Sequence, residues 1–164
     1  LAAATGARFG RSCFSGAYMG EYGVYVSNSG EAVRHRKALG MEHLKLLFKV
    51  NPEADAYLVQ RDIQVVASPF MFGDFADGLA YQGQRREQSL TIGSVQVHEA
   101  AKQKNVPVFC NTGCNHQNVR EKLKHCDAVC IGSAFKKDGI FNQRVDEKRV
   151  RDFMEIVKEI RGES

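Results

Sequence analysis

The chain has no tryptophan, only three prolines in 164 residues, and no apolar run near the roughly 18 residues that a membrane helix requires. The last absence argues against integral membrane contact. There is no low-complexity tract and no Pro/Gly/Ser-rich linker either, so no internal boundary can be placed and residues 1–164 read as one unit. The opening LAAATGARFG lacks a basic flank, a long apolar stretch and a starting methionine, as a secretory leader does not, and is expected to be cut from a longer chain. Five cysteines, an odd number without a leader, point to reduced thiols rather than a disulfide framework, and hence to a cytoplasmic setting.

What is present fits a globular domain with a sizeable core: 43% apolar and 26% charged residues. Twenty-three basic against 19 acidic side chains leave a net charge of +4. The short basic clusters RHRK (34–37), RR (85–86) and KRVR (148–151) each lie in or beside a helical pattern with acids nearby. Solvated helix faces look like that, so nucleic acid is not expected as a partner.

Short β-rich runs at 7–14, 44–50, 78–83, 106–111 and 128–135 are each followed by a helical stretch, the rhythm of a parallel sheet. The last helix should start after Asp146 and stop at Gly162, with Val150, Phe153, Met154, Val157 and Ile160 on a core-facing stripe. A short helix capped by Asn115 would carry Val119, Leu123 and Cys126 on one side. Two more helices are expected around Tyr57–Ala67 and Leu90–Lys104. Five such units fit an open doubly wound sheet or part of a (β/α)8 barrel, which needs eight units and about 250 residues.

Four cysteines and two histidines crowd FCNTGCNHQNVREKLKHCDAVC, residues 109–130. A metal site is the obvious thought. If Cys114 follows one end of a strand and Cys126 returns at the other, about 15–17 Å of strand separates them and a single zinc cannot hold both. No metal and no cofactor is expected. The glycines carry more: two successive strands end in NTG (Asn111, Thr112, Gly113) and GSAFKKDG (Gly132–Gly139), where backbone amides can approach an anion closely. In barrels the loops after the last two strands often build a phosphate site.

The run FSGAYMGEYGVYVSNSGEAVRHRKALG (14–40), followed by LKLLFKVNPEA, VFCNTGCNHQNVREKL and GSAFKKDGIFNQRVDEKRVRDFME, resembles the BtpA/SgcQ family, closest to its SgcQ-like branch. The resemblance covers nearly the whole chain. It implies a TIM barrel of the ribulose-phosphate-binding type, of which this chain would supply barrel strands four to eight, the C-terminal part of a single (β/α)8 domain. It also implies either a metabolic enzyme, from a sugar-metabolism setting with a nucleosidase label, or a non-catalytic factor of the photosystem-biogenesis kind. The phosphate pattern is reduced here, since only Gly113 stands where such barrels tend to carry two glycines.

In a barrel, Leu44, Leu46, Phe48 and Val50 would face the helices and Lys45, Leu47 and Lys49 the interior. Lys49, nearer the carboxyl end of its strand, is the first candidate for a catalytic or anion-binding group. Arg11 suits a carboxylate or phosphate, and Cys13 shares its face. The Gly-rich loop 15–31 could fold over the site with Tyr18, Glu21 and Tyr22, or make an oligomer contact. Asn111, Gly113, Gly132, Ser133 and Lys136 are the expected ligand-binding groups, with Asn51 and Gln82 behind them. The expected ligand is an anionic sugar, nucleoside or phosphorylated metabolite. The reaction would be that of a nucleosidase-like hydrolase, with Lys49, Arg11 and Glu21 as catalytic groups, or of a lyase or isomerase on a sugar phosphate.

Overall fold

A computed structural model describes residues 1–52, 54–73, 75–82 and 92–163, with the backbone alone for 92–94. A short α1 (Ala2–Thr5) leads into a five-stranded parallel sheet of β1 (Phe9–Ser12), β4 (Lys45–Lys49), β6 (Gly78–Tyr81), β7 (Val108–Cys110) and β8 (Ala128–Val129), in that order. Each strand pairs with the next along the chain and, among the described residues, the order never reverses, as in part of an α/β barrel. The fold is α/β with a mostly parallel sheet. The helices α2 (Ser29–Ala38), α3 (Ile63–Phe72), α4 (Ile92–Lys102) and α5 (Val119–Lys122) lie in the crossovers, and α6 (Glu147–Arg161) ends the chain.

One face of the sheet packs on these helices. Leu46, Phe48, Val50, Leu79, Tyr81, Val108 and Cys110 form one core with Val66, Ala67, Phe70, Val97 and Ala101. Phe48 meets Phe70 edge-on, ring centroids 5.5 Å apart, and burying each such ring contributes about 1.5–3 kcal/mol. The alternation expected for 44–50 is therefore observed. The opposite, inner face carries Leu47 beside Gly78 and then Lys49, Ala80, Phe109 and Ala128 in register. Gly78 is there for space, since a Cβ would stand 2.9 Å from the Leu47 side chain and 3.2 Å from the Pro107 carbonyl oxygen.

The segment 15–31, expected as a loop, is instead mostly a hairpin. Strands β2 (Gly16–Gly20) and β3 (Gly23–Ser27) are joined by the two-residue turn Glu21–Tyr22, with Gly23 at φ +109, and β5 (Ala56–Tyr57) pairs with β2. Tyr18 does not enter a site: it is fully buried between Tyr25 and Tyr57, with its hydroxyl donating to the Ser15 carbonyl at 2.5 Å. Tyr57 is held in β5 and donates to the Val50 carbonyl, so the helix expected from Tyr57 begins only at Ile63, where Asp62 caps it through the Gln64 amide. The expected start of the next helix at Leu90, the strand end at Gly83 and the Arg85–Arg86 pair lie outside the described residues.

The final helix is capped by Asp146 and closed by Gly162 as expected. Its stripe is only partly core: Phe153 and Val157 are buried, whereas Met154 and Ile160 stay 38% and 39% exposed beside the last strand of the sheet.

At the amino edge of the sheet, Asp77 and Asp127 play one role twice. The Asp77 amide donates to the Leu46 carbonyl and its carboxylate accepts from the Leu46 amide at 2.9 Å. Asp127 does the same to Val108, at 2.9 and 2.8 Å. Asp77 also accepts from Arg36 at 2.8 Å and Lys45 at 3.1 Å. Burial pushes the Asp77 carboxyl up, but the Leu46 amide, Lys45 and Arg36 outweigh it and hold the group below the usual carboxylate range. Its stabilisation is therefore complete above the unfolded pKa, about 3.9, and is lost as pH falls through the lowered folded value. Asp77→Ala should cost about 2–3 kcal/mol at neutral pH, read as a melting temperature lower by about 4–10 °C, with the difference from wild type shrinking in acid below the carboxylate range.

Candidate functional site

The carboxyl ends of β7 and β8 open onto a cleft of about 740 Å³. Its floor and walls are the loop Asn111–Gly113, the loop from Cys130 to Ala134, Arg11 from β1 and Arg149 from α6. Four strand spacings separate β1 from β8, about 19 Å if the sheet were flat, so a cleft lined by both requires the sheet to curl towards its inner face. Two arginines and no carboxylate line it among the described residues, an arrangement that favours an anion.

Local chemistry shapes both loops. The Asn111 amide donates to the Tyr81 carbonyl at 2.8 Å and continues the sheet one residue past β7. Gly113 then turns at φ +69, a conformation that costs an L side chain about 1 kcal/mol or more, and its carbonyl accepts from Asn118 Nδ2. Asn115, expected to cap the short helix, instead holds the turn before it through the amides of Gln117 and Asn118, and α5 starts later, after Asn118. After β8 the chain makes a 3-10 turn, Ser133–Phe135, tied to α6 by Arg149 Nε donating to the Ala134 carbonyl at 2.8 Å. The Arg149 carbonyl in turn meets His116 Nε2 at 2.7 Å, and His116 and Phe135 pack edge-on to Phe153. The amides of Thr112, Gly113, Gly132 and Ser133 make no hydrogen bond among the described residues.

Asn111 stands out. It is 3% exposed, lines the cleft, and neither its Oδ1 nor its Nδ2 has a partner among the described residues. Leaving such atoms unpaired costs about 1–3 kcal/mol.

Of the residues singled out in the sequence, Arg11, Asn111, Gly113, Gly132 and Ser133 come together here. Lys49 does not line the cleft. It stands on the same inner face next to Cys13, whose thiol is pushed up by burial while Tyr25 and the Lys49 charge act against that. Glu21 is exposed on the hairpin turn and Lys136 follows the 3-10 turn, both outside the cleft. Asn51 and Gln82 are joined by two hydrogen bonds, Asn51 Nδ2 to the Gln82 carbonyl and the Gln82 amide to Asn51 Oδ1. Arg149 was hidden in KRVR, a run that looks like an exposed helix face; its position just after the Asp146 cap, beside the FKKDG turn, was the available signal.

Lys122 was hidden too, in a short helix of alternating charge. It is 4% exposed, and its Nζ lies 3.2 Å from the Thr112 carbonyl and 3.4 Å from Cys110 Sγ. β7 has three residues, β8 two, and α5 a single turn, so Lys122 reaches the Cys110 sulfur, while the Cys126 thiol donates to the Lys122 carbonyl at 3.0 Å. The influence of Cys126, then the Lys122 charge and N–H, pull the Cys110 thiol below its usual value against the effect of burial. Burial pushes Cys114 up to about 12 and raises Cys130. Among the described residues no three His, Cys, Asp or Glu side chains stand close enough to hold a metal, and no helix is long and apolar enough to cross a membrane.

The model of the BtpA family matches residues 1–159. The chain is 40% identical over 166 aligned positions to the sgc region protein SgcQ of Escherichia coli (strain K12), covering 98% of this chain and 60% of that protein. It is 23% identical over 160 positions to the photosystem I biogenesis protein BtpA of Synechocystis sp., covering 97% and 55%, and 24% identical over 135 to an uncharacterised mitochondrial protein of Caenorhabditis elegans, covering 81% and 47%. The chain thus spans about 60% of the length of SgcQ and 55% of that of BtpA. No solved structure matches it.

A titration of thiolate absorbance should find one cysteine ionising below the ordinary thiol range in the native protein. Lys122→Met should move that midpoint up towards the ordinary thiol value of about 8.5; an unchanged midpoint would remove Lys122 as a cause.

Proposed function

The chain belongs to the BtpA family, and on that footing we propose that it is the C-terminal part of a (β/α)8 barrel of the ribulose-phosphate-binding type whose cleft binds an anionic metabolite: a sugar, nucleoside or phosphorylated compound. Closure into a barrel is supported by the unreversed strand order and by the curl that brings Arg11 to the β8 side. The observation that carries the ligand reading is Asn111, a buried amide with both polar atoms unpartnered among the described residues, in a cleft lined by Arg11 and Arg149 and by Gly113, Gly132 and Ser133, whose amides make no hydrogen bond among those residues. A cytoplasmic setting goes with this proposal and rests on five free cysteines.

As an enzyme it would act as a nucleosidase-like hydrolase or as a lyase or isomerase on a sugar phosphate. Arg11 would hold or polarise the ligand, and Lys49, outside the cleft on the inner face at the carboxyl end of β4, would exchange protons with the part of a ligand that extends beyond the cleft across that face. Hydrolysis of an N-glycosidic bond calls for a carboxylate near the bond, and Glu21 lies on the hairpin turn. That favours the chemistry of a lysine over that of paired acids.

The second reading is a non-catalytic assembly or stability factor, of the kind named by the Synechocystis relative. In its favour, Val24 and Val26 lie 56% and 76% exposed on the outer strand of the hairpin, with Tyr22 wholly exposed at its turn. Alternate apolar residues facing outward on an edge strand suit a protein surface.

A thermal-shift screen against inorganic phosphate, sugar phosphates and nucleotides tests the ligand reading. A ligand present at about 100 times its Kd stabilises by about 2.7 kcal/mol, or about 5–10 °C for a domain of this size; no shift with any anion overturns the reading. Asn111→Leu should raise the melting temperature of the unliganded protein, because it removes two buried unpaired atoms, and should abolish the ligand shift. Lys49→Ala should keep the shift and lose at least about 100-fold in turnover. Full function of Lys49→Ala in a cell-based assay would favour the assembly factor.

A further inference from the structure

Beneath the Asn111–Gly113 loop lies a charged group that direct ligand contact does not explain. Lys122 on α5 is 4% exposed and does not line the cleft. Its Nζ donates to the Thr112 carbonyl at 3.2 Å and lies 3.4 Å from the Cys110 sulfur, and among the described residues no carboxylate pairs with it. Burying an ammonium costs far more stability than burying an apolar side chain of the same length. What the ammonium does and an apolar chain cannot is hold the Thr112 carbonyl.

The hold reaches the next residue. The Thr112 carbonyl and the Gly113 N–H belong to one planar trans peptide and point in opposite directions. With the carbonyl turned down to Lys122, the N–H is turned away from the buried side, where Gly113 borders the cleft and its amide makes no hydrogen bond among the described residues. The ammonium stands under this residue: a Cβ built on Gly113 would meet Lys122 Nζ at 3.9 Å. Glycine makes the hold necessary. Gly113 sits at φ +69 and glycine takes either sign of φ at little cost, so an unheld Thr112–Gly113 peptide could turn over and place a carbonyl oxygen, which repels anions, where the N–H now stands. On the other side of Gly113, Asn118 Nδ2 donates to the Gly113 carbonyl at 2.8 Å. Both peptides flanking Gly113 are thus fixed at their carbonyls.

We propose that Lys122 is a positioning residue of the anion site: from the buried side its ammonium pins the Thr112 carbonyl and so presents the Gly113 N–H to an anion held by Arg11 and Arg149. The inference rests on the anion-binding reading and adds to it a third cation, one that does not touch the ligand. Its charge acts in the same sense, because the ammonium polarises the peptide it holds and strengthens the N–H on the far side as a donor. Asn111, buried with both side-chain atoms unpartnered among the described residues, marks the same loop as the one that receives the ligand.

The test titrates the isotope-labelled protein with inorganic phosphate and follows the amide signals of Gly113, Gly132 and Ser133 by NMR. In the wild type the Gly113 amide proton should move downfield on binding, as an N–H that gains a charged acceptor does. In Lys122→Met the affinity for phosphate should fall at least about tenfold and the Gly113 shift should be lost, while Gly132 and Ser133 still respond at saturating phosphate. Lys122→Gln keeps an uncharged N–H donor for the Thr112 carbonyl, stands in if the Met variant does not fold, and should recover part of the Gly113 shift. Wild-type affinity with an intact Gly113 shift in Lys122→Met overturns the positioning role. So does an equal loss at all three amides in folded Lys122→Met, which a merely structural lysine would give, or a Gln variant without any Gly113 shift. A wild type in which phosphate moves Gly132 and Ser133 but not Gly113 overturns the role of Lys122 and leaves the anion-binding reading standing, whereas no response at any of the three amides overturns that reading and this inference with it.

Discussion

The sheet depends on a two-point grip made twice, by Asp77 on Leu46 and by Asp127 on Val108. Each aspartate, one residue before its strand, offers its amide and its carboxylate to the carbonyl and amide of a single residue on the neighbouring strand. Parallel strands cannot be registered by a tight turn, because their connections run through long crossovers. A clamp at the amino edge does that work instead. Once Leu46 and Val108 are fixed, the alternation along each strand follows, and with it the assignment of Phe48, Leu79 and Val108 to the helix side and of Lys49, Ala80 and Phe109 to the inner face. A slip of one residue would exchange these sets.

The grip also divides the molecule by task. At the amino edge Arg36 and Lys45 add charge to Asp77, whereas the opposite edge carries groups whose burial costs stability. Asn111 keeps two polar atoms unpaired, and Lys122 keeps an ammonium buried against sulfur. Small side chains on the inner face, Gly78 and Ala80, allow the strands to curl. Without that curl Arg11 would stand about four strand spacings from β8, roughly 19 Å, and could not share a cleft with Ser133.

Much of this was legible in the sequence. All five parallel strands and the last helix were, because each rests on a short-range pattern: period-two alternation in LKLLFKV, a cap and a 3.6-residue stripe after Asp146. The NTG and GSAFKKDG turns marked the cleft by their glycines. What escaped depends on contacts distant in the chain. The hairpin was signalled by its two-residue turn before Gly23, yet its glycines read equally as a loop, and Tyr57 was drawn out of a helical run by pairing with Tyr18 from 39 residues away. Arg149 and Lys122 looked like solvated charges; only the packing of α6 and α5 against the two loops shows otherwise.

The cysteines illustrate the same limit from the other side. Strand length was the right quantity to consult, since it sets how far apart the two ends of a crossover lie. The sheet here is shallow at its end, three residues in β7 and two in β8, so Lys122 of the single-turn α5 reaches the cysteine that closes β7. Shortness at this edge follows from the glycine turns that end both strands early. The features that open a cleft above therefore draw Cys110 and Lys122 together below it, and the charge buried there lies one residue's width from the loop that forms the cleft floor.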